Sequence, residues 1–175
     1  MTGPITRRDT IVPAGPSKAK GRAERMGEIT SEFLGFELAG ECFGLPLGSI
    51  REILKLTPIT EVPRARHDVL GILSVRGRIT TVIDLRRRLR MSPRKPDKIS
   101  RILLVDAGDE VMGILVDQVY QVYRLHEEEL ELAAVVAGDL NEYVYGIGRP
   151  EGLVGREGLS DDIMILLDPE PLLRR

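Results

Sequence analysis

The feature that most limits what this chain can fold into is its punctuation: short apolar runs are cut by turn signals roughly every eight to twelve residues. No apolar period lasts long enough for a long helix, so the spacing predicts an all-β chain built as barrels or a sandwich. Phe33-Leu34-Gly35-Phe36-Glu37-Leu38 sets Leu34, Phe36 and Leu38 on one face, which is strand periodicity. Ala39-Gly40 turns the chain and Glu41 to Leu45 runs back. Pro46, Gly48 and Thr57-Pro58 interrupt pairing around a strand with Ile50, Glu52 and Leu54 on one side and Arg51 and Ile53 on the other. After a single helical turn expected over 65–70, Gly71 to Val75 and Ile79 to Ile83 flank the tight turn Arg76-Gly77-Arg78. Asp84 is placed to cap a short helix at Leu85 to Leu89. Residues 91–100 form a polar connection bearing prolines.

The second half repeats the texture. Strands are expected at 101–105, 111–116, 119–125, 143–148 and 164–167, with a brief helical turn at 126–132 and Gly-rich loop at 149–162. Asp168-Pro169 reads as an N-cap followed by proline at the first position of a terminal helix. The total is about nine or ten strands, and glycines at 44, 113, 146 and 148 fall inside them, as bends at barrel corners do.

A chain of 175 residues suits one domain or two very small ones, and with 42% hydrophobic residues and no Trp the core must be mostly aliphatic. Residues 1–30 hold Gly3, Pro4, Pro13, Gly15, Pro16, Gly21 and Gly27 without sustained apolar period, so a disordered tail is expected there. The net charge of −2 is unevenly spread. Residues 64–101 carry twelve Lys or Arg against three acids, and 106–170 carry three basic residues against sixteen acids. Such fields steer encounters between two partners, or they are ordinary solvated faces. With no apolar run of signal-peptide length, the expected location is cytoplasmic.

Nothing in the sequence converges on catalysis. There is no phosphate loop, dinucleotide fingerprint, nucleophile elbow or two-histidine metal motif, and no cofactor is expected. His67 and His126 sit among charged or loop residues and are expected at the surface. The single cysteine, Cys42, is expected to be a small core residue. Asp84 and Asp117 each follow an apolar strand, and local roles account for both: capping for Asp84 and turn formation for Asp117. The run Arg86-Arg87-Arg88-Leu89-Arg90 suggests a nucleic-acid patch, but no aromatic stacking platform accompanies it. A solvated face, or one meeting an acidic protein, is the expected reading, with a small-barrel nucleic-acid binder as the remote alternative.

One ordered constellation says more. It runs Phe36-x-Leu38, Gly44-Leu45-Pro46-Leu47, Ile50-Arg51-Glu52-Ile53, Thr60-x-Val62-Pro63, Gly71-Ile72-Leu73-Ser74-Val75-Arg76-Gly77 and Val82-Ile83-Asp84-Leu85-Arg86. It continues with Gly113-Ile114-Leu115-Val116-Asp117-x-Val119, Tyr143-x-Tyr145-Gly146-Ile147 and Leu166-Leu167-Asp168-Pro169. Each piece alone is weak, but their order and spacing strongly resemble the CheW family of bacterial chemotaxis adaptors. The resemblance covers residues 31–173 as one CheW-like domain. Two departures are visible: the family usually has Asn where Ser74 stands, and proline is common where Thr81 stands.

The resemblance implies two small five-stranded SH3-like barrels packed side by side, with short helical turns and a C-terminal helix. The changeover between them is expected at roughly 88–100, with exchange of strands allowed. It implies a non-catalytic adaptor that couples methyl-accepting chemoreceptors to a CheA-type histidine kinase, recruited to membrane-associated receptor arrays. The implied partners are the cytoplasmic tip of the receptors and the regulatory domain of the kinase, with no nucleic acid and no membrane insertion. The implied receptor groove contains Ile50, Glu52, Arg76 and Val119, with Arg76 paired to Glu52. Gly71, Gly113 and Gly146 match glycines of a partner surface. The alternative is a CheW-like protein that binds only one of the two partners, as an insulator or in a specialised motility or developmental pathway.

Overall fold

A computed structural model describes residues 30–132, 142–153 and 163–174. The tail expected over 1–30 therefore lies, except for Thr30, outside the described residues, as does most of the Gly-rich loop expected over 149–162. The chain forms eleven strands in order: β1 (Thr30–Leu38), β2 (Glu41–Pro46), β3 (Ile50–Lys55), β4 (Val69–Val75), β5 (Arg78–Asp84), β6 (Arg101–Ala107), β7 (Glu110–Val116), β8 (Gln118–His126), β9 (Leu130–Leu132), β10 (Val144–Gly148) and β11 (Met164–Leu167). Two short helices, α1 (Leu85–Arg88) and α2 (Pro169–Leu173), follow β5 and β11. Among the described residues no helix is long and apolar enough to cross a membrane.

The strands make two sheets, one ordered β8-β1-β2-β11-β10-β9 and the other β3-β6-β7-β5-β4. The first has six strands because β9, read from sequence as part of a helical turn, is a strand of three residues. His126 and Glu129 cap a single 3-10 turn at Glu127–Glu129, and pairing of Leu130 with Gly148 then takes over the backbone. The sheets are interleaved in sequence. The chain passes from the first to the second between β2 and β3, and back between β7 and β8. The changeover expected at 88–100 is thus corrected: that segment joins α1 to β6 within one sheet. The physical reason is parallel pairing of β5 with β7 (Val82 with Gly113, Ile83 with Ile114), which forces the intervening chain to return to the sheet it left.

Strand alternation explains why so many strands read as continuously apolar. Phe33 of β1 joins a core with Cys42, Tyr123, Leu125, Met164 and Leu166 inside the six-stranded sheet. Its neighbours Leu34, Phe36 and Leu38 point the other way. In the second sheet Leu73, Val82, Ile102, Leu104 and Leu115 fill one face. The opposite face, with Ile83, Leu103, Val105, Met112, Ile114 and Val116, meets Leu34, Phe36, Leu38, Phe43 and Leu45 in the largest cluster of the molecule. Two barrel cores are therefore joined by a third, shared one. Helix α2 adds Leu172 and Leu173 to it, with Asp168 accepting the Glu170 amide as N-cap.

The helical turn expected over 65–70 does not form. Ala65 donates to the Val62 carbonyl and Val69 to that of Arg66, and β4 begins at Val69. Asp68 is buried: its carboxylate accepts from Arg66 and Arg88, and its carbonyl accepts the Asp84 amide at 2.8 Å. Those contacts tie the segment to β5, and the Asp68 carbonyl is taken by the Asp84 amide rather than by a helical partner.

Candidate functional site

Arg76 and Gly77 join β4 to β5 with φ of 49° and 78°, the two positive values of a type I′ hairpin turn. Asn or Gly is the usual choice at the first position, because a side chain there crowds the backbone at a cost of roughly 1–2 kcal/mol. Ala39, Arg64 and Arg90 share that backbone region, with φ of 55°, 60° and 57°. Nη2 of Arg76 donates to Oε1 of Glu52 at 2.9 Å. Glu52 lies on β3, and β3 and β4 are the two outer strands of the five-stranded sheet. The pair therefore spans the seam where that sheet closes into a barrel, beside the isolated bridge between Thr60 and Ile72. With the Arg76 side chain 78% exposed, the pair contributes at most about 1 kcal/mol. What it does is hold the guanidinium in one place. Ile79, on the next strand opposite Ser74, is an apolar side chain 75% exposed that sequence reasoning missed.

Ile50 and Val119 come from opposite sheets. Ile50 opens β3 opposite Val105, and Val119 lies on β8 opposite Phe36. Each is half-buried and packs against the shared core, so both mark the margin where the two sheets meet. A register shift between Ile50 and Glu52 lets the first face the shared core and the second face the seam with Arg76.

The three glycines expected at a partner surface are buried, and each has an internal reason. A Cβ on Gly71 would stand 2.1 Å from the carbonyl oxygen of Thr60, and its φ of 148° is one that L side chains rarely adopt. A Cβ on Gly146 would stand 2.4 Å from the Glu131 carbonyl oxygen, where β9 approaches β10. On Gly113 it would press on Val82 and Ile102 at 3.0 and 3.1 Å inside the barrel core. Close approach of backbone and core therefore accounts for all three.

The arginine run is not a solvated face. Arg86 forks onto Asp117 through Nε and Nη2, at 2.9 and 2.5 Å, with only about a tenth of either side chain exposed. That hydrogen bonding raises the Arg86 pKa further above its ordinary value. Arg88 reaches Asp68, the carbonyls of Leu172 and Arg174, and the ring of Tyr143. Arg87 and Arg90 remain exposed. Two of the four cations are thus spent inside the molecule, and the run presents no continuous track for a phosphate backbone. Asp84 caps α1 as expected, accepting the Arg86 and Arg87 amides. Asp117 does more than turn the chain, because it binds across both sheets. Its long-range partners, 31 and 78 residues away, left no local signal in the sequence. Cys42 is buried in a strand, and desolvation pushes its thiol up to about 12, which makes it inert as a nucleophile. His67 is exposed and His126 half-buried at the start of its 3-10 turn.

The model of the CheW-like domain matches residues 32–175. The chemotaxis protein CheW of Helicobacter pylori is 26% identical over 155 residues, covering 89% of this chain and 88% of that protein. The chemotaxis protein CheW of Klebsiella aerogenes is 30% identical over 146 residues, covering 83% and 82%. The crystal structure of the scaffolding protein TtCheW from Thermoanaerobacter tengcongensis superposes with a TM-score of 0.72 at 28% identity, over 84% of this chain and 94% of that one. The family-model match over most of the chain, the relatives and the shared fold place this chain in the CheW-like domain family, to which it belongs.

Proposed function

We propose that this protein is a non-catalytic adaptor that couples methyl-accepting chemoreceptors to a CheA-type histidine kinase at membrane-associated arrays. The observation that carries this reading is the margin between the sheets. Ile50 and Val119 stand there from opposite sides, and the nearby barrel seam offers the Glu52–Arg76 pair and exposed Ile79. Apolar side chains beside an oriented cation suit the mixed surface of a helical receptor tip. The relatives span nearly the same length and include a protein named as a scaffold, which fits a role of surfaces without chemistry.

The test is to titrate the protein separately with a receptor hairpin fragment and with the regulatory domain of the kinase. Both are expected to bind. Ile50→Asp places a charge at an apolar contact and is expected to weaken receptor binding at least about tenfold. Arg76→Ala is expected to weaken coupling while leaving the fold intact. Normal coupling by both variants would show that the groove is wrongly placed. Failure of the wild-type protein to bind any receptor and kinase of its own organism would sink the adaptor reading altogether.

A second reading, a family member that binds only one of these partners, is favoured by the hairpin itself. Ser74 and Thr81 replace the family's usual Asn and Pro on the two strands that present Arg76. Binding to one partner and never the other would support it.

A further inference from the structure

The two sheets are joined by apolar contacts that hold them together without dictating one alignment, because hydrophobic burial is non-directional. Arg88 crosses the junction at one end, to the carbonyls of Leu172 and Arg174, and a second polar constellation crosses it with fixed geometry. Asp117 stands at the crossing from β7 to β8, where the chain leaves one sheet for the other. One carboxylate oxygen, Oδ2, accepts the backbone amide of Ala39 in the β1–β2 turn at 2.8 Å. Its own amide donates to the Glu37 carbonyl of β1 at 3.1 Å. From the other side Arg86, at the start of α1 below β5, grips the same carboxylate with a bidentate fork. The remaining Arg86 nitrogen, Nη1, donates to the Ser92 carbonyl at 2.9 Å and pins the following loop. Ala39 has a φ of 55°, unusual for a residue other than glycine, and this acceptor satisfies its amide in the turn.

We propose that Arg86 and Asp117 are positioning residues that fix one relative placement of the two barrels, and through it the placement of Val119 against Ile50. The inference rests on the adaptor reading for its functional part. Val119 follows Asp117 by two residues on β8, so any freedom at Asp117 passes directly to the groove wall. A buried ion pair adds little net stability over an apolar pair of similar size. Its planar fork instead admits one geometry, and lysine, a point charge on a flexible stem, would not reproduce it.

The test uses the full chain with Cys42→Ala, spin labels at Gln121→Cys on β8 and Arg78→Cys on β5, and pulsed distance measurements between them. The parent is expected to give a single narrow distance distribution. Arg86→Lys is expected to broaden it. The double variant Arg86→Met/Asp117→Asn leaves no unpaired charge and keeps an acceptor for Ala39. It is expected to unfold near the parent temperature yet show a broadened distribution and at least about tenfold faster amide exchange at Ala39. A merely structural role would move the unfolding temperature and leave the distribution narrow. A narrow distribution in both variants overturns the proposal. Titration with the receptor hairpin fragment separates the two claims: binding by the parent and at least about tenfold weaker binding by the variants supports the functional part. A parent that does not bind removes the adaptor reading, while the distance arm still decides the role of the pair.

Discussion

At the residue scale, the sequence announced which side chains are special but not why. Gly71 was expected from the resemblance at a partner surface; the structure sets it against the carbonyl of Thr60, eleven positions away in sequence, and no local pattern encodes that approach. Gly71→Ala is expected to cost about 1–3 kcal/mol in urea unfolding, through both the left-handed backbone and the approach of Thr60. Arg76 behaves in the opposite way. Its φ of 49° suits asparagine better than arginine. Arg76→Asn is therefore expected to leave the unfolding midpoint unchanged or raise it slightly, while weakening partner binding. A substitution that gains stability and loses binding would separate the turn from the contact it presents. The Glu52–Arg76 pair was expected from the resemblance, and the structure has it at 2.9 Å.

At the element scale, local rules worked wherever the determinants lie within a few residues. Asp84 and Asp168 cap helices because each carboxylate reaches amides two or three positions ahead. Asp84→Ala is expected to destabilise the protein by about 1 kcal/mol or somewhat more, since Arg87 also loses its partner, and Asp84→Asn by less. Equilibrium unfolding of the two variants checks the order. Local rules failed where tertiary contacts claimed the backbone. Residues 65–70 do not form a helical turn because Asp68 is tied to Arg66, Arg88 and Asp84. Residues Leu130–Leu132 form a strand because β10 offers Gly146 to Gly148 as partners. Apolar periodicity over three residues carries too little information to signal that pairing.

At the scale of the whole molecule, charge is used internally more than the sequence suggested. Buried Asp68 illustrates this. Burial raises its carboxyl, but Arg66 and then Arg88 outweigh that and hold the pKa below the ordinary 3.8. Asp97 shifts the same way, first through the Ile99 amide. Groups depressed in the folded state stabilise it fully above their ordinary value, and that contribution disappears as pH falls through the folded value. Unfolding free energy is therefore expected to be flat with respect to these groups above about pH 5 and to drop below about pH 4. Asp68→Asn should shallow that acid limb, as denaturant titrations at a series of pH values would measure. The basic and acidic halves of the sequence remain a property of the exposed residues such as Arg87, Arg90, Glu127 and Glu128, while Arg86, Arg88, Asp68 and Asp117 are withdrawn from it.

By itself the sequence determined the class of fold, the position of most strands, the tight hairpin turns, the helix caps and the family. These follow from alternation of apolar residues, from turn chemistry and from an ordered set of short motifs, all of which are local or additive along the chain. Only the tertiary structure decided which strand belongs to which sheet, that the changeovers fall between β2 and β3 and between β7 and β8, and that Arg86 and Asp117 meet. Sheet membership depends on pairings between residues far apart in the chain, such as Ile83 with Ile114. Strands buried on both faces look alike in sequence whichever core they fill, so periodicity cannot assign them. The ion pair is invisible for the same reason: an arginine in a charged run and an aspartate after a strand become partners only when two sheets are brought together.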